Sequence, residues 1–460
     1  MSRIWAVASH MLSEAIRTKI AVVFIAMILV LLTTLPFTVV GDGVTLKSRG
    51  QSFLAYSLSS VGLLLSLLTV FVSCGTLASE IREKHVFMVA SKPIPRWQFF
   101  AGKWLGIVLL NAGLLLLSGV LIWGFTRFYI QTRPTFTEDR LALENEVLTV
   151  RHGAKVDVPD MAPLVEERVR RLREEGRLDS ITQSGRRDVR EAVLQDLRSE
   201  FRSLRPGEPK DYVFRNLLVD PSKTEFIYLR LRPKTPTGVD DLILWARWQC
   251  GDRNDVNTMM PVREGEYVVD RFYEEPISAS AVNKDGELHL RIQNLDHRNT
   301  FTFEDAESLE LLYDIGTFHW NLVRALTIIW CRLAFLAALG LLLSTFLSFP
   351  VACMVAFMIL AVAVSSGFLM EAMAWAGGRG IADDPLWILG PVLRPAANAM
   401  VWLVPDFSKV DPVGTVVAGR VVTLTWVIQS LVVLVFFQGL VLGLLGCVIF
   451  TRRELAQVTS

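Results

Sequence analysis

The chain reads as runs of apolar residues interrupted by one long polar block. A helix that crosses a bilayer needs roughly 20 mostly apolar residues, because no water is present there to satisfy the backbone. Six stretches meet this requirement: Ile20 to about Val40, about Phe53 to Ala78, about Leu105 to Phe128, Leu326–Ser348, Val351–Met373 and Val421–Phe450. Leu386–Val404 is weaker. It carries Pro391, Arg394 and Pro395 and reads as a re-entrant or interfacial part of an outer segment, 377–420. The first stretch is too long for a cleaved signal region and lacks a small-residue cleavage site, so it is expected to stay as a span.

Between the third and fourth stretches the pattern changes twice. Over 135–205 the apolar residues recur at helical spacing. Asp160 can cap a helix in which Val165, Val169 and Leu172 share a face, with Gly176 as its stop. Ser184 can cap a second, with Val189, Val193, Leu197 and Phe201 at four-residue spacing. Over 211–304 the period falls to two, in Phe226–Leu231, Leu242–Trp248, Glu266–Phe272, Glu287–Gln293 and Thr300–Phe303, with Gly, Pro and Asp turns between. Short strands so spaced predict a β-sandwich. The expected fold class is an α-helical polytopic membrane protein of six transmembrane helices with an inserted α+β domain. Its parts are a first membrane half, 1–128, the insertion, 129–320, and a second membrane half, 321–460.

Charge sharpens this picture. Apolar residues make up 52% of the chain and charged ones 20%. Residues 129–320 hold 28 Lys and Arg and 36 Asp and Glu, a net of −8, whereas the remaining 268 residues carry a net of +9. An acidic block inside a charge-poor shell is not the composition of a cytosolic enzyme or a disordered chain, nor the basic footprint of a nucleic-acid binder. The positive-inside rule then sets orientation. With the N-terminus in the cytoplasm, inner segments carry ten cations (Arg3, Arg17, Lys19, Arg82, Lys84, Lys92, Arg96, Lys103, Arg452, Arg453) and short outer loops six (Lys47, Arg49, Arg379, Arg394, Lys409, Arg420). This predicts a multi-pass protein of the inner or plasma membrane, both termini cytoplasmic and 129–320 extracytoplasmic. Cys74, Cys331, Cys353 and Cys447 fall in or beside spans, and Cys250 is alone in the outer block, so no disulfide is expected within it.

Catalytic and metal-binding signatures are missing. There is no GxxxxGK[ST] loop, since Gly102-Lys103 is followed by Trp104 and has no Gly five residues before Gly102. Without that nest of N–H groups the chain is expected not to hydrolyse ATP itself, and so not to be an enzyme. HExxH, GxSxG, EF-hand and CxxC patterns do not occur. His289 and His297 could meet across strands, but surface histidines explain them as well. Cys353, Met354 and Met358 could offer soft ligands to copper(I), against packing or lipid contact. The Arg168, Arg170, Arg171, Arg173 stretch reads as a solvated face balanced by Glu166, Glu167, Glu174 and Glu175. Within the spans, Arg332 lies about 9 Å beyond Leu326 at 1.5 Å per residue. It is a functional candidate by default. It could instead snorkel outward or pair structurally with Glu371.

The most informative segment follows the second span. Residues 79–90 (SEIREKHVFMVA) read as a short helix, charged at its N-terminal end and apolar at its C-terminal end. Lys92-Pro93-Ile94-Pro95 stops it and turns the chain. Arg96 and Trp97 can anchor at headgroup level, and Lys103 can snorkel back from the third span. The product is a rigid helical knob between two spans; the plainer reading is a connecting loop with interfacial anchors.

The run Val89-Ala90-Ser91-Lys92-Pro93-Ile94-Pro95-Arg96-Trp97-Gln98-Phe99, then Gly102-Lys103-Trp104-Leu105-Gly106, resembles the signature of type-2 ATP-binding-cassette (ABC) transporter permeases. Also similar are the six-span layout, an amphipathic N-terminal helix (Ile4, Val7, Met11, Leu12, Ala15, Ile16) and Leu403-Val404-Pro405-Asp406-Phe407 followed by Asp411-Pro412. The likeness covers the membrane shell and is nearest the multi-copper-enzyme-maturation-like branch. It departs in Lys84-His85, where many members have Gly-Thr, and in the large outer insertion. The resemblance implies an exporter half. Two permeases pair, as a homodimer or with a sibling, and two separate ATPase subunits binding ATP and Mg dock beneath, with no cofactor in this chain. The knob is the coupling element. Glu80, Arg82, Glu83, Lys84 and Lys92 are the polar contacts, and Pro93, Arg96 and Trp97 hold its angle. Two alternatives stand beside this: a membrane-anchored extracytoplasmic sensor or binding protein, and a mechanotransmitting ABC subunit that moves its outer domain rather than cargo.

Overall fold

The computed structural model describes residues 2–38, 46–82, 95–132, 143, 147–175, 183–219, 224–235, 242–252, 258–303, 308–378, 407–408 and 410–452, with 2, 79–82, 96, 129–132, 183–188, 369–378 and 451–452 described for the backbone alone. The chain divides into two compact units, Met1–Val150 with Gly316–Ser460, and Arg151–Ile315. In chain order the first unit opens with helices α1 (Ser2–Arg17), α2 (Ile20–Thr38), α3 (Leu46–Arg82) and α4 (Arg96–Thr132). The second contains strand β1 (Thr149–Lys155) from Arg151 on, helices α5 (Ala162–Glu174) and α6 (Gln183–Arg202), strands β2 (Ser203–Leu204), β3 (Pro209–Phe214), β4 (Phe226–Leu231), β5 (Ile243–Cys250), β6 (Arg263–Val268), β7 (Tyr273–Ser278), β8 (Leu288–Asn294) and β9 (Phe301–Thr302), and β10 (Leu309–Thr317) as far as Ile315; Thr149, Val150, Gly316 and Thr317 belong to the first unit. The first unit resumes with α7 (Phe318–Ser344), α8 (Phe349–Gly378), the short α9 (Val413–Val417), then α10 (Leu424–Ser430), a π-helical stretch (Leu431–Gly439) and α11 (Leu440–Arg452) in one run.

Six of the described helices are long and apolar enough to cross a membrane: Ile20–Thr38, Leu46–Ala78, Trp97–Phe128, Phe318–Ser344, Phe349–Phe368 and Leu424–Phe450. The chain is thus a helical protein of membrane-spanning character with a β-sheet unit. Helix α7 is the most buried of the six and forms the hub. Gly340 lets α3 approach it, since a Cβ there would fall on the Ser73 hydroxyl. Helix α1 ends where Lys19 takes a left-handed backbone (φ 59), which breaks the hydrogen-bond ladder and re-aims the chain into α2.

The second unit has two four-stranded sheets, ordered β1-β10-β4-β7 and β3-β8-β5-β6, and a two-stranded pair β2-β9. Burial alternates along β5 and β8, as period-two strands with one buried face require. Ile227, Leu229 and Leu231 of one sheet and Leu244, Ala246 and Trp248 of the other share one buried core. Trp248 donates its indole N–H to the Tyr267 hydroxyl at 2.8 Å, satisfying a polar tip inside that core.

Several sequence expectations shift. The part of the chain expected to be helical, 135–205, also holds β1, and β10 extends past the last predicted strand; each pairs into the first sheet. Strands β2, β3 and β7 also match no predicted strand, β7 being hidden by its charged Tyr-Glu-Glu-Pro start. Strand β6 begins three residues before the predicted Glu266. Asp160 does accept from the Ala162 N–H at 3.0 Å, but the residue at the cap is Met161. Ser184 lies inside α6, which begins at Gln183. Gly176 and the 386–404 segment lie outside the described residues. The fourth span starts at Phe318 rather than Leu326, because β10 passes directly into a helix whose first turns carry His319, Asn321 and Arg324. Hydropathy alone ends the span where these polar residues begin.

Candidate functional site

The loop expected to be functional is flanked by the end of α3 and the start of α4. Ser79–Arg82 continue α3 without a break, so Glu80 and Arg82 lie in its last turn. Glu83, Lys84, Lys92 and Pro93 lie outside the described residues, and Arg96 is the first residue of α4. Trp97 is 54% exposed. The Pro95 carbonyl accepts from the N–H groups of Gln98 and Phe99 at 2.9 and 3.3 Å, which starts α4.

The Gly-Lys-Trp-Leu-Gly run has a physical reason for nearly every position. Gly102 and Gly106, four residues apart, lie on one face of α4 and let α1 lie against it. A Cβ on Gly102 would stand 2.6 Å from Val7 Cβ, and one on Gly106 3.0 Å from the Ala8 carbonyl. Lys103 between them is 2% exposed and ion-pairs with Glu14 of α1 at 3.7 Å. This corrects the expectation that Lys103 snorkels to the interface: the docked α1 covers it and supplies the countercharge. Trp104 donates its indole N–H to the Ala334 carbonyl at 3.0 Å. Trp330 of α7 returns the bond, donating to the Val108 carbonyl at 3.0 Å, so α4 and α7 are clasped symmetrically in antiparallel register. Phe99 stacks on Phe450 of α11, with ring centroids 6.5 Å apart.

Arg332 lies fourteen residues into α7, about 21 Å from its start and near its middle. That is deeper than the sequence reading placed it. Its guanidinium donates to the Phe407 carbonyl at 2.7 Å and meets the Asp411 carboxylate at 3.3 Å. Among the described residues the acid that meets it is Asp411; Glu371 lies in the part of α8, 369–378, of which only the backbone is described. Other polar residues of α7 act on the same segment. Asn321 donates to the Arg420 carbonyl and accepts from the Val422 N–H, both at 2.7 Å. Arg324 donates to the Val422 carbonyl at 3.2 Å. These side chains meet backbone groups of Phe407, Arg420 and Val422, on either side of α9, as irregular chain packed among spans requires. Between α3 and α4, Asn111 donates to Thr69 at 2.8 Å in an otherwise apolar contact.

In the second unit a row of charges crosses the first sheet. Arg230 on β4 stands opposite Glu310 on β10 and Glu274 on β7 in the strand register. It bonds Glu310 at 3.1 Å, and Arg151 on β1 bonds Glu274 at 2.7 Å. Sequence reasoning missed this network, whose only signal is cross-strand register. The Arg-rich α5 is a solvated face: Arg171 pairs with Glu167, Arg170 with Glu174 and Arg190 with Glu166. His289 lies 3.7 Å from Glu287. Met354 and Met358 are exposed while Cys353 is buried, so the three do not converge. Among the described residues no three His, Cys, Asp or Glu side chains gather as metal ligands would. No protein-family model, curated protein or solved structure matches the chain.

Proposed function

We propose that the chain is the permease subunit of an ABC exporter, moving a substrate across the inner or plasma membrane while ATP and Mg are bound by two separate ATPase subunits beneath it. The carrying observation is the Val89–Gly106 run after the second span. Its described part supports the reading: the run's glycines seat α1, its Lys is neutralised by Glu14, and its Trp ties α4 to α7. A knob on such a base would pass a push from below into α4, and through the Trp clasp into α7. In this reading both termini are cytoplasmic and Arg151–Ile315 is extracytoplasmic; six crossings put the termini and 83–95 on one side and the β unit on the other. The ATPase must bind the knob differently in its two states, because a partner without differential affinity shifts nothing. A second permease, identical or a sibling, completes the assembly.

The Glu80→Lys/Glu83→Lys double mutant, reconstituted with the ATPase and a second permease, is expected to lose the stimulation of ATP hydrolysis while still inserting. Full stimulation would remove the coupling claim. Membrane-impermeant amine labelling of intact cells should spare Lys84 and Lys92; labelling from outside would end the proposal. The β unit, with a core of its own, favours one second reading, a membrane-anchored binding protein. That reading predicts purification without an ATPase partner.

A further inference from the structure

Helices α4 and α7 run antiparallel, and beside their clasp a groove of about 500 Å³ opens between them. Leu116, Val120 and Trp123 of α4 and Val323, Leu326 and Trp330 of α7 line it. Gly119 keeps it narrow but open, since a Cβ there would stand 2.5 Å from Leu326 Cδ1. From His319 to Trp330 the groove runs about 17 Å along α7 at 1.5 Å per residue, roughly one leaflet of a 30 Å hydrocarbon core. At its outer end lies a second cavity of about 350 Å³, sharing Trp123 and His319 with the first. Beside the shared His319 its lining adds the polar side chains of Arg127, Thr126, Thr149 and Thr317. The Thr317 hydroxyl and the His319 ring share a hydrogen bond at 3.2 Å. Arg127 makes no hydrogen bond or ion pair with any described residue, and it is exposed at the end of its span.

We propose that these two cavities are one binding site for an anionic glycerophospholipid. An acyl chain fills the α4–α7 groove, and the phosphate meets Arg127 and the Thr149 and Thr317 hydroxyls at the leaflet that holds the C-terminal end of α4 and the N-terminal end of α7. Three features select this occupant. The groove is apolar along one leaflet's depth. Its polar mouth stands at that leaflet's edge, with Trp123 at the level where interfacial aromatics sit. The mouth carries a cation with no hydrogen bond or ion pair among the described residues, and a guanidinium recognises a phosphate by paired, charge-assisted hydrogen bonds. The site rests on the helices crossing a bilayer and not on ATP-driven transport, so it stands or falls apart from that reading.

The test uses the full-length chain in mild detergent, stripped of lipid, with phosphatidylglycerol or phosphatidylcholine added back and retention read by native mass spectrometry. Phosphatidylglycerol should be retained in preference. Arg127→Ala should weaken its retention by about tenfold, the worth of one charge-assisted contact, with partial return in Arg127→Lys. Val120→Trp, which fills the groove, should lower retention of both lipids. A phosphatidylglycerol bearing a photoreactive acyl chain, used on the unaltered chain, should cross-link to 115–123 and 322–330, which keeps the idea testable if a variant misfolds. Equal retention of both lipids by the unaltered chain and all three variants, or cross-links spread over all six helices, would overturn it. So would displacement by inorganic phosphate with no effect of Val120→Trp, or a groove found occupied by a helix of a second copy.

Discussion

Trp104 and Trp330 show what one residue does inside an apolar interface. Each indole N–H must find an acceptor where water is absent, and each finds a main-chain carbonyl on the other helix. Interhelical hydrogen bonds in membranes are worth about 0.6 kcal/mol on average and at most about 1.7. Trp104→Phe and Trp330→Phe should therefore each lower unfolding free energy by about 0.6 kcal/mol, apart from any change in packing, as measured by denaturant unfolding in detergent. No loss in either variant would mean the two bonds hold nothing. The residues were visible in sequence as apolar aromatics. Their partners were not, because a main-chain acceptor on another helix leaves no mark on composition. Lys103 fails for the same reason: its expected route to water is closed by α1, whose Glu14 is distant in sequence.

At the scale of elements, the segment 407–422 is held among the helices by side chains of α7. Asn321, Arg324 and Arg332 each hydrogen-bond a backbone group of Phe407, Arg420 or Val422. Arg332→Met removes the donor to the Phe407 carbonyl and the countercharge of Asp411. The Phe407 carbonyl keeps its bond from the Val410 N–H, so the loss is that of one hydrogen bond to a charged donor, about 1.5–3 kcal/mol. The variant should lose stability in that range, and protease cleavage near residue 407 should rise. Unaltered cleavage and stability would show that Arg332 has another role. The sequence marked Arg332 as exceptional by its place in a span. It could not show Asp411 as the partner, since that depends on how an irregular segment folds back.

At the scale of the molecule, two cores answer to different solvents. The membrane unit buries its apolar cluster among helices that also expose Phe436, Phe437, Leu444 and Met354, as a lipid-facing surface does. The β unit buries its core in alternating strands and covers itself with charge. Cys250 lies in that second core, where burial pushes its thiol up to about 12 from 9.0, with Arg263 opposing. The unfolded thiol ionises near 9 while the folded one keeps its proton. Across that window the folded state holds the extra proton, so the contribution is full below pH 9 and is lost as pH rises toward 12. The unfolding transition of the β unit should weaken over this range, and less steeply in Cys250→Ala. Equal slopes would mean the thiol titrates normally.

What the sequence determined by itself was whatever depends on local period and composition. The apolar lengths foretold six helices long and apolar enough to span a membrane, the change to period two foretold strands with one buried face, and Val165, Val169 and Leu172 foretold the inner side of α5. Only the tertiary structure decided which residues meet. It placed β1 and β10 beside β4, set Arg230 between Glu310 and Glu274, sent Arg332 to Asp411, and brought Arg127 and His319 to the mouth of one groove. The physical reason is range. Hydrophobic burial sets the form of an element within a few turns, whereas a hydrogen bond or ion pair joins atoms whose separation along the chain has no bearing on their separation in space.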